Sequence, residues 1–368
     1  MSDSLHDLLS RHVDAGTMPG AVGTIGEGCE PVAVGLTAPG GPPLGADAIF
    51  RIQSMTKAIT AVAALRLVQD GVIALDDPIA TWIPELAEPR VLPRPDAPLD
   101  ESRPARRPIT VRHLLTNQSG YGMMTSDTPL RQAMIDADVE AGAEPVDLGA
   151  QEWLETLAAL PLAFEPGEAW RYHHSFGILG ILLGRVTDRS TQEVLDATVF
   201  TPAGMPDTGF IVPADQAHRL PPAFRHGAQG YEQSEPGGAG FYVAPAPFDT
   251  SHSELVSTLA DYHAFLRALI DGRLIDTDLR DALRTDQVDA TAKQPDSFFP
   301  GFWDNTGWGY GVSVVTGGPH RGRFGWSGGL GTDFFVDPDG TICIVMTQVE
   351  MDDSVFGMIA ELQGVREG

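Results

Sequence analysis

The sequence predicts an α+β protein in which an antiparallel β-sheet is flanked by helices and a helical domain is inserted into the chain. Strand-like segments concentrate towards both ends of the 368-residue sequence, and helix-like segments fill its middle. Consecutive strands joined by tight turns favour antiparallel pairing over parallel crossovers. We therefore predict one α/β domain from residues 1–75 and 240–368, with residues 76–239 as the helical insertion.

The first elements predicted are a short amphipathic helix over residues 1–13 and two strands of the sheet. The strands correspond to the apolar runs Gly20–Ile25 and Pro31–Leu36, which lie on either side of a Gly/Glu turn. A further short strand over Ile49–Gln53 leads into Ser54.

The middle of the chain is predicted to be helical, with two long loops. Helices are expected at Val111–Thr116, Gln151–Leu160, Phe176–Thr187, Gln192–Val199 and Leu255–Leu269. Between Pro84 and Pro108 the sequence holds seven prolines and five arginines, and prolines at that density predict a loop. Residues 225–250 are rich in Gly, Pro and Ala and predict a second loop.

The C-terminal part is predicted to complete the sheet and to end in a helix. Strands are expected at Trp308–Val315, Arg321–Trp326, Asp333–Val336 and Thr341–Thr347, with a helix over Ser354–Gln363. The turn 337–340, Asp-Pro-Asp-Gly, is a strong connection between the last two strands.

Composition and charge exclude several classes of function. The net charge of −26 argues against binding of nucleic acids or of anionic membranes. The sequence has no apolar run of 18 residues and no signal-peptide pattern at its start, so a cytoplasmic location without a membrane span is expected. Two cysteines, Cys29 and Cys343, give neither a disulfide framework nor a zinc pattern. No metal and no organic cofactor are expected.

Lys57 is the most informative residue, because only one other lysine, Lys293, occurs among 24 Lys and Arg residues. Arginine stays protonated in proteins, whereas a desolvated lysine can lose its proton and act as a base. Ser54 lies one helical turn earlier on the same face, where such a base can activate its hydroxyl. The nearly uncharged segment 58–71 places both residues at the start of a buried helix. The spacing alone also arises by chance.

Tyr172 is a second candidate base, at a loop-to-helix junction after a Glu-Pro-Gly-Glu turn. A tyrosine near a cation can ionise below its free pKa, although Tyr172 taken alone is better explained as one of six tyrosines that pack in the core. Tyr121, in a glycine-flanked loop, is the competing candidate for this role. The adjacent His173 and His174 point in different directions and lack further ligand spacing, which favours a structural role over a metal site.

A glycine-rich stretch near the C-terminus is the third candidate element of a site. Gly328 and Gly329 follow Trp326 and Ser327 on a predicted strand. Glycines there allow a backbone N–H to approach a ligand closely, although they are equally compatible with a bulge or a tight turn.

Taken in order, these features resemble the serine β-lactamase-like hydrolases, particularly class C β-lactamases and family VIII carboxylesterases. The features are Ser54-x-x-Lys57, Tyr172-x-His174 and Trp326-Ser327-Gly328. Segments 50–57, 109–120 and 255–258 are also similar to that family, and the resemblance spans about residues 5–360.

The resemblance implies a fold of the β-lactamase/penicillin-binding-protein type and assigns a role to each candidate residue. It implies Ser54 as the acyl-forming nucleophile, Lys57 and Tyr172 as the base pair, and the N–H groups of Ser54 and Gly329 as the oxyanion hole. The other residues implied to contact substrate are Trp326, His174 and Gly328.

Two departures from the family pattern bear on substrate choice. His174 stands where the family often has Asn, which affects the expected hydrogen bond to Lys57 and to a substrate amide. Trp326 stands where β-lactamases begin their third motif with Lys, so the cation that holds a substrate carboxylate is missing. Trp326 offers an apolar wall with one N–H donor. Lys293 is distant in sequence, and Arg323 would face away on a regular strand.

We therefore expect a serine hydrolase that cleaves carboxylic esters through an acyl-enzyme on Ser54. Its partner would be a small-molecule ester or amide. Hydrolysis of β-lactams or small amides and acyl transfer to an alcohol or amine are the enzymatic alternatives. A catalytically silent relative that only binds a ligand is the alternative of another class.

Overall fold

The computed structural model describes residues 2–142 and 145–364, which form helices and mostly antiparallel strands. The strands are β1 (Gly20–Gly26), β2 (Val32–Gly35), β3 (Phe50–Arg51), β4 (Arg90–Val91), β5 (Arg103–Pro104), β6 (Ala223–Gly227), β7 (Gly230–Glu235), β8 (Val256–Ser257), β9 (Thr306–Trp308), β10 (Ser313–Val315), β11 (Phe324–Gly328), β12 (Thr332–Val336) and β13 (Ile342–Met346). The α-helices are α1 (Ser2–Asp14), α2 (Thr56–Gln69), α3 (Val111–Leu115), α4 (Pro129–Asp136), α5 (Ala150–Ala158), α6 (His174–Thr187), α7 (Thr191–Leu195), α8 (Thr201–Ala203), α9 (Leu259–Ile270), α10 (Thr277–Leu283) and α11 (Asp353–Gly364).

A seven-stranded antiparallel sheet, in the order β2-β1-β13-β12-β11-β10-β9, forms the centre of the fold. β1 pairs with β13, with Val22 opposite Met346, so strands from both ends of the sequence meet inside it. Alternate residues of β12 face opposite sides. Phe335 packs with α1 and α11 on one face, and Phe334 packs with α9 on the other. The predicted antiparallel sheet with flanking helices is confirmed.

Helix α2 is enclosed because it has almost no polar face. Lys57 and every residue from Ala58 to Leu65 are buried. α6 packs directly against it. One hydrophobic cluster runs from the sheet through α2 to the helices of the middle of the chain. The proposed domain boundaries at residues 75/76 and 239/240 therefore stay a prediction.

The single strand predicted at Trp308–Val315 is wrong, because a turn over residues 309–312 divides it into β9 and β10, which pair antiparallel. Gly311 permits this turn, since its φ is +78° and a Cβ atom there would lie 2.8 Å from the Lys57 carbonyl oxygen. The turn therefore packs against the beginning of α2.

Three other predictions need correction. The predicted loop 225–250 contains much of the hairpin β6–β7, in which Arg225 lies opposite Glu232. The helix predicted from Leu255 begins only at Leu259, because Val256–Ser257 pairs with β3 and the Thr258 hydroxyl caps α9. The helix predicted over Gln192–Val199 ends at Leu195 and continues as a π-turn.

The proline-rich segment 84–108 behaves largely as predicted. It contains short 3₁₀ turns and the two-residue strands β4 and β5.

No helix within residues 2–142 and 145–364 combines the length and the apolar character that crossing a membrane requires.

Candidate active site

Ser54 and Lys57 lie together at the beginning of α2. Ser54 belongs to the 3₁₀ turn Gln53–Met55, and Gln53 has a positive φ of 48°, which is strained for a non-glycine residue. Lys57 Nζ donates to Ser54 Oγ at 3.1 Å and to the His252 carbonyl oxygen at 2.5 Å. The serine hydroxyl is thus in direct contact with the amine.

The environment of Lys57 favours its neutral form. Its side chain is fully buried, and this desolvation lowers its pKa well below the ordinary value. Lys293, in contrast, forms an ion pair with Asp286 and lies 5.2 Å from the Trp303 ring centroid. The two lysines therefore differ in chemistry, and only Lys57 is suited to accept a proton from Ser54.

Tyr172 lies beside the same pair. Its ring centroid is 4.3 Å from Lys57 Nζ, and its hydroxyl accepts a hydrogen bond from Trp326 Nε1 at 2.6 Å. Burial raises the pKa of Tyr172, while hydrogen bonds with Ser54 and Trp326 act to lower it. The net shift is upward, so Tyr172 is a neutral phenol here, and ionisation below its free pKa, which the sequence allowed, is not supported. Its hydroxyl can still relay a proton through its hydrogen bond with Ser54.

The indole N–H of Trp326 donates its hydrogen bond to Tyr172, so it is not available to bind a substrate as the sequence suggested. The sequence motif alone gives Trp326 an N–H donor that faces the substrate. Because that donor serves Tyr172, the ring alone remains to contact a ligand. Trp326 also packs edge-on against Trp308, with ring centroids 4.7 Å apart.

The glycine turn after Trp326 packs on the turn that carries Ser54. A Cβ atom on Gly328 would overlap the Ile52 carbonyl oxygen and the Thr332 hydroxyl, so only glycine fits there. The Thr332 hydroxyl donates to the same Ile52 oxygen at 3.1 Å. Gly329 lines a cavity together with Ser54, and its contribution to an oxyanion hole stays a prediction.

The structure does not bring His174 to this cavity. Its side chain is fully buried, its Nε2 donates to the Val139 carbonyl oxygen at 2.7 Å, and its ring stacks on Trp153. Since the bond to Val139 fixes the imidazole, His174 anchors the start of α6, and substrate contact by this residue is not supported.

His252 was missed by sequence analysis, although its carbonyl group holds Lys57. Its ring packs 3.9 Å from that of His173, which has a strained positive φ of 97°. Burial lowers the pKa of both imidazoles well below the usual value, so both are neutral beside Lys57. A lone histidine in an irregular segment carries no sequence signal for such a role.

The cavity beside Ser54 has a volume of about 480 Å³ and is lined by predominantly apolar groups. Four rings form what we term the aromatic wall: Phe298, Phe299, Phe302 and Trp326. In the part of the chain that the structure describes, no group of three or more His, Cys, Asp or Glu side chains is arranged to hold a metal ion. A serine hydroxyl in contact with an amine and a phenol at an apolar cavity can perform acyl transfer.

The Tyr172→Phe variant is expected to lower kcat for ester cleavage by about 10²–10⁴-fold if, as the resemblance implies, the Tyr172 hydroxyl relays the proton of Ser54. Tyr121→Phe is the matched control. Tyr121 is also buried, and its hydroxyl lacks a hydrogen-bond partner among the described residues. Burst kinetics with circular dichroism on both variants measure the effect, and a larger loss in Tyr121→Phe would assign the base to Tyr121.

Asp333, on the neighbouring strand β12, is a buried carboxyl that supports β11 through Ser327. It accepts hydrogen bonds from Ser327 Oγ at 2.6 Å and from Gln363 Nε2 at 3.1 Å. Burial raises its pKa from the ordinary value of 3.8 to about 6. The folded protein therefore binds a proton more tightly than the unfolded chain between pH 4 and 6, and stability falls as pH rises through this window.

The Asp333→Asn variant is expected to lack this fall in stability. A shift of two pKa units corresponds to about 3 kcal/mol. Between pH 4 and pH 7 the wild type should therefore lose about that much unfolding free energy through Asp333, and the variant should not, so the difference between variant and wild type should rise by this amount. Urea unfolding at both pH values measures the difference. The exposed Asp76, whose pKa the Arg112 hydrogen bond lowers, gives the control Asp76→Asn, which should show no such rise. A pH-independent difference for Asp333→Asn would contradict the shift.

Comparison with known proteins identifies the family. A model of the family described as Beta-lactamase matches residues 5–355. Protein Rv1367c of Mycobacterium tuberculosis is 35% identical over 322 residues, which cover 83% of this chain and 78% of that protein. Esterase EstB of Burkholderia gladioli is 32% identical over 323 residues, which cover 81% of this chain and 76% of that protein.

A solved structure supports the same conclusion for the fold. EstCE1, described as a hydrolase with promiscuous acyltransferase activity, superposes with a TM-score of 0.80 at 23% identity, and the match covers 98% of each chain. The resemblance inferred from the three motifs is thereby confirmed. This chain belongs to the Beta-lactamase family, in an enzyme group of serine hydrolases and acyltransferases.

Proposed function

We propose that this protein hydrolyses carboxylic esters through an acyl-enzyme on Ser54. The observation that carries the proposal is the contact between Ser54 Oγ and the amine of Lys57, whose pKa burial lowers and whose neutral form burial therefore favours. A neutral amine at hydrogen-bond distance can accept the proton of the attacking hydroxyl.

In the proposed reaction Ser54 Oγ attacks the ester carbonyl carbon while its proton passes to the amine of Lys57, and the Tyr172 hydroxyl relays that proton towards the leaving group. The N–H groups of Ser54 and Gly329 stabilise the oxyanion of the tetrahedral intermediate. Collapse of that intermediate breaks the bond to the alcohol oxygen, which takes up the proton. Water then attacks the acyl group in the same manner, which releases the carboxylic acid and restores Ser54.

Esters are preferred over β-lactams in this proposal because the described part of the cavity lining offers no free cation to a substrate carboxylate. Arg323 is the only cation among the described residues that line the cavity. Its guanidinium bonds Asp337 at 2.8 Å and the Gln363 carbonyl oxygen at 2.7 Å, as expected for a side chain facing away from Trp326. Lys293 is paired with Asp286.

Acyl transfer to an alcohol is the second candidate. The apolar cavity favours it, because an organic acceptor can compete with water where water is poorly held. The description of EstCE1 as a hydrolase with promiscuous acyltransferase activity is consistent with this alternative. Product analysis of ester turnover with added alcohol separates transfer from hydrolysis.

The test compares kcat/KM for p-nitrophenyl acetate and butyrate with that for a chromogenic cephalosporin on one enzyme preparation. Losing a charge-assisted hydrogen bond costs about 1.5–3 kcal/mol, so the esters should be favoured by at least about ten- to a hundredfold. Comparable efficiency on the cephalosporin would favour the β-lactam alternative. Absence of turnover and of labelling by a fluorophosphonate would identify a silent relative.

A further inference from the structure

We propose that the preferred ester carries an uncharged, ring-sized apolar group on its alcohol part, and that this group packs against the aromatic wall. This inference rests on the proposed ester hydrolysis at Ser54 and names the class of substrate for that site. It follows from the geometry of the wall, its position relative to Tyr172 and the charges around the cavity.

The aromatic wall offers a ligand a surface that the protein itself leaves partly uncovered. The Phe299 side chain remains 47% exposed although it is a large apolar group at the cavity. Its ring centroid lies 5.2 Å from that of Phe298, which in turn is 6.2 Å from Trp326. A flat apolar group placed here gains both burial and ring–ring contacts.

The wall is held in place from behind. Trp170 is fully buried and packs against Phe302 and Phe298, with ring centroids 5.2 Å and 6.1 Å away. Trp308, also fully buried, packs edge-on against Trp326. Because these rings are fixed before a ligand arrives, little conformational entropy is lost on binding.

Tyr172 identifies which part of an ester meets the wall. In ester cleavage the proton taken from Ser54 is delivered to the departing alcohol oxygen, so the alcohol must leave past the proton-carrying group. Phe298 contacts Tyr172 directly, with ring centroids 5.1 Å apart, and Trp326 donates its N–H to the Tyr172 hydroxyl. The wall therefore lies on the side of the alcohol.

Among the described residues that line the cavity, no cationic side chain is free to pair with a negatively charged alcohol. The N–H of Trp326 is used by Tyr172, and the guanidinium of Arg323 is used by Asp337. The Ser327 hydroxyl donates to the carboxyl group of Asp333. A carboxylate on the ligand would lose its hydration without gaining a partner, and this costs free energy.

The experiment uses two isomeric esters that differ in where the ring lies. In phenethyl acetate the phenyl ring is on the alcohol, and in ethyl phenylacetate it is on the acyl group. Ethyl acetate is the reference without a ring, and phenethyl acetate carboxylated on its ring tests charge. For the wild type we expect phenethyl acetate to be cleaved with a kcat/KM that exceeds the value for ethyl acetate about tenfold or more. It should also be cleaved more efficiently than the isomer and the carboxylated ester.

Variants locate the effect in the wall. The preference for phenethyl acetate over ethyl acetate, expressed as the ratio of their kcat/KM values, should fall by about three- to tenfold in Phe299→Ala and be retained in Phe299→Trp. Ile211→Ala is the control, since Ile211 is exposed to a similar degree, 42%, and does not line the cavity. It should leave the ratio unchanged.

The outcomes separate this inference from the proposed function. Preference for ethyl phenylacetate, equal turnover of all esters, or an unchanged ratio in folded Phe299→Ala would overturn the inference while ester hydrolysis stands. Wild-type enzyme that cleaves no ester and forms no fluorophosphonate adduct on Ser54 would overturn both. If Phe299→Ala fails to fold, the wild-type series alone decides.

Discussion

A Lys57→Arg variant is expected to lose about a thousandfold or more in kcat for p-nitrophenyl acetate. The substitution places a permanent positive charge at this position and removes the proton acceptor, because arginine stays protonated in proteins. Burial lowers the pKa of Lys57, so its amine can be neutral when Ser54 attacks. The same shift predicts that activity falls as pH decreases through this lowered pKa, where Lys57 becomes charged.

The control for this variant is Lys293→Arg, which changes the other lysine of the chain. Lys293 forms an ion pair with Asp286 that arginine can also make, so kcat should stay close to that of the wild type. Circular dichroism and thermal unfolding establish that both variants are folded. Nearly wild-type kcat in folded Lys57→Arg would show that Lys57 acts only through its charge or its packing.

Ser54→Ala is expected to abolish ester turnover, with a loss on the order of 10⁵–10⁶-fold, because the acyl-enzyme can no longer form. A fluorophosphonate should attach covalently to Ser54 in the wild type and to no residue in the variant. Peptide mapping by mass spectrometry locates the adduct. Ser313→Ala is the control, since the Ser313 hydroxyl bonds the Gly325 carbonyl oxygen and should be dispensable. An adduct on another serine would contradict the assignment.

The central pair of the site could be predicted from sequence because its geometry is local. Ser54 and Lys57 are three residues apart at the start of a helix, and this spacing places their side chains in contact. The chain has only two lysines, so a lysine at this position was an unusual and informative feature. Tyr172 and the strand Arg321–Trp326 were predicted from their own segments, whereas their place beside Ser54 came from the resemblance to a family, since no local pattern brings them together.

The remaining contacts depend on packing between distant segments. The Trp326 N–H that holds Tyr172 and the His252 carbonyl group that holds Lys57 have no signature in their own segments. His174 shows the reverse case, because the motif gave it a place in the site and the contact with Val139 directs it elsewhere. The hairpin β6–β7 was not predicted, because the glycines and prolines around it favoured a loop over a pattern of alternating side chains.

The pairing of β1 with β13 has a consequence for the order in which the molecule can form during translation. β1 joins the large sheet only through β2 and β13, so a nascent chain holds β1 without its inner neighbour until β13 has left the ribosome. Such non-local pairing gives a high contact order and slow folding, during which the apolar edge of β1 is open to aggregation. The turn bearing Ser54 likewise receives its support from Gly328 and Thr332 only late in synthesis. The cavity beside Ser54 can therefore assemble only after β11 and β12 have been synthesised.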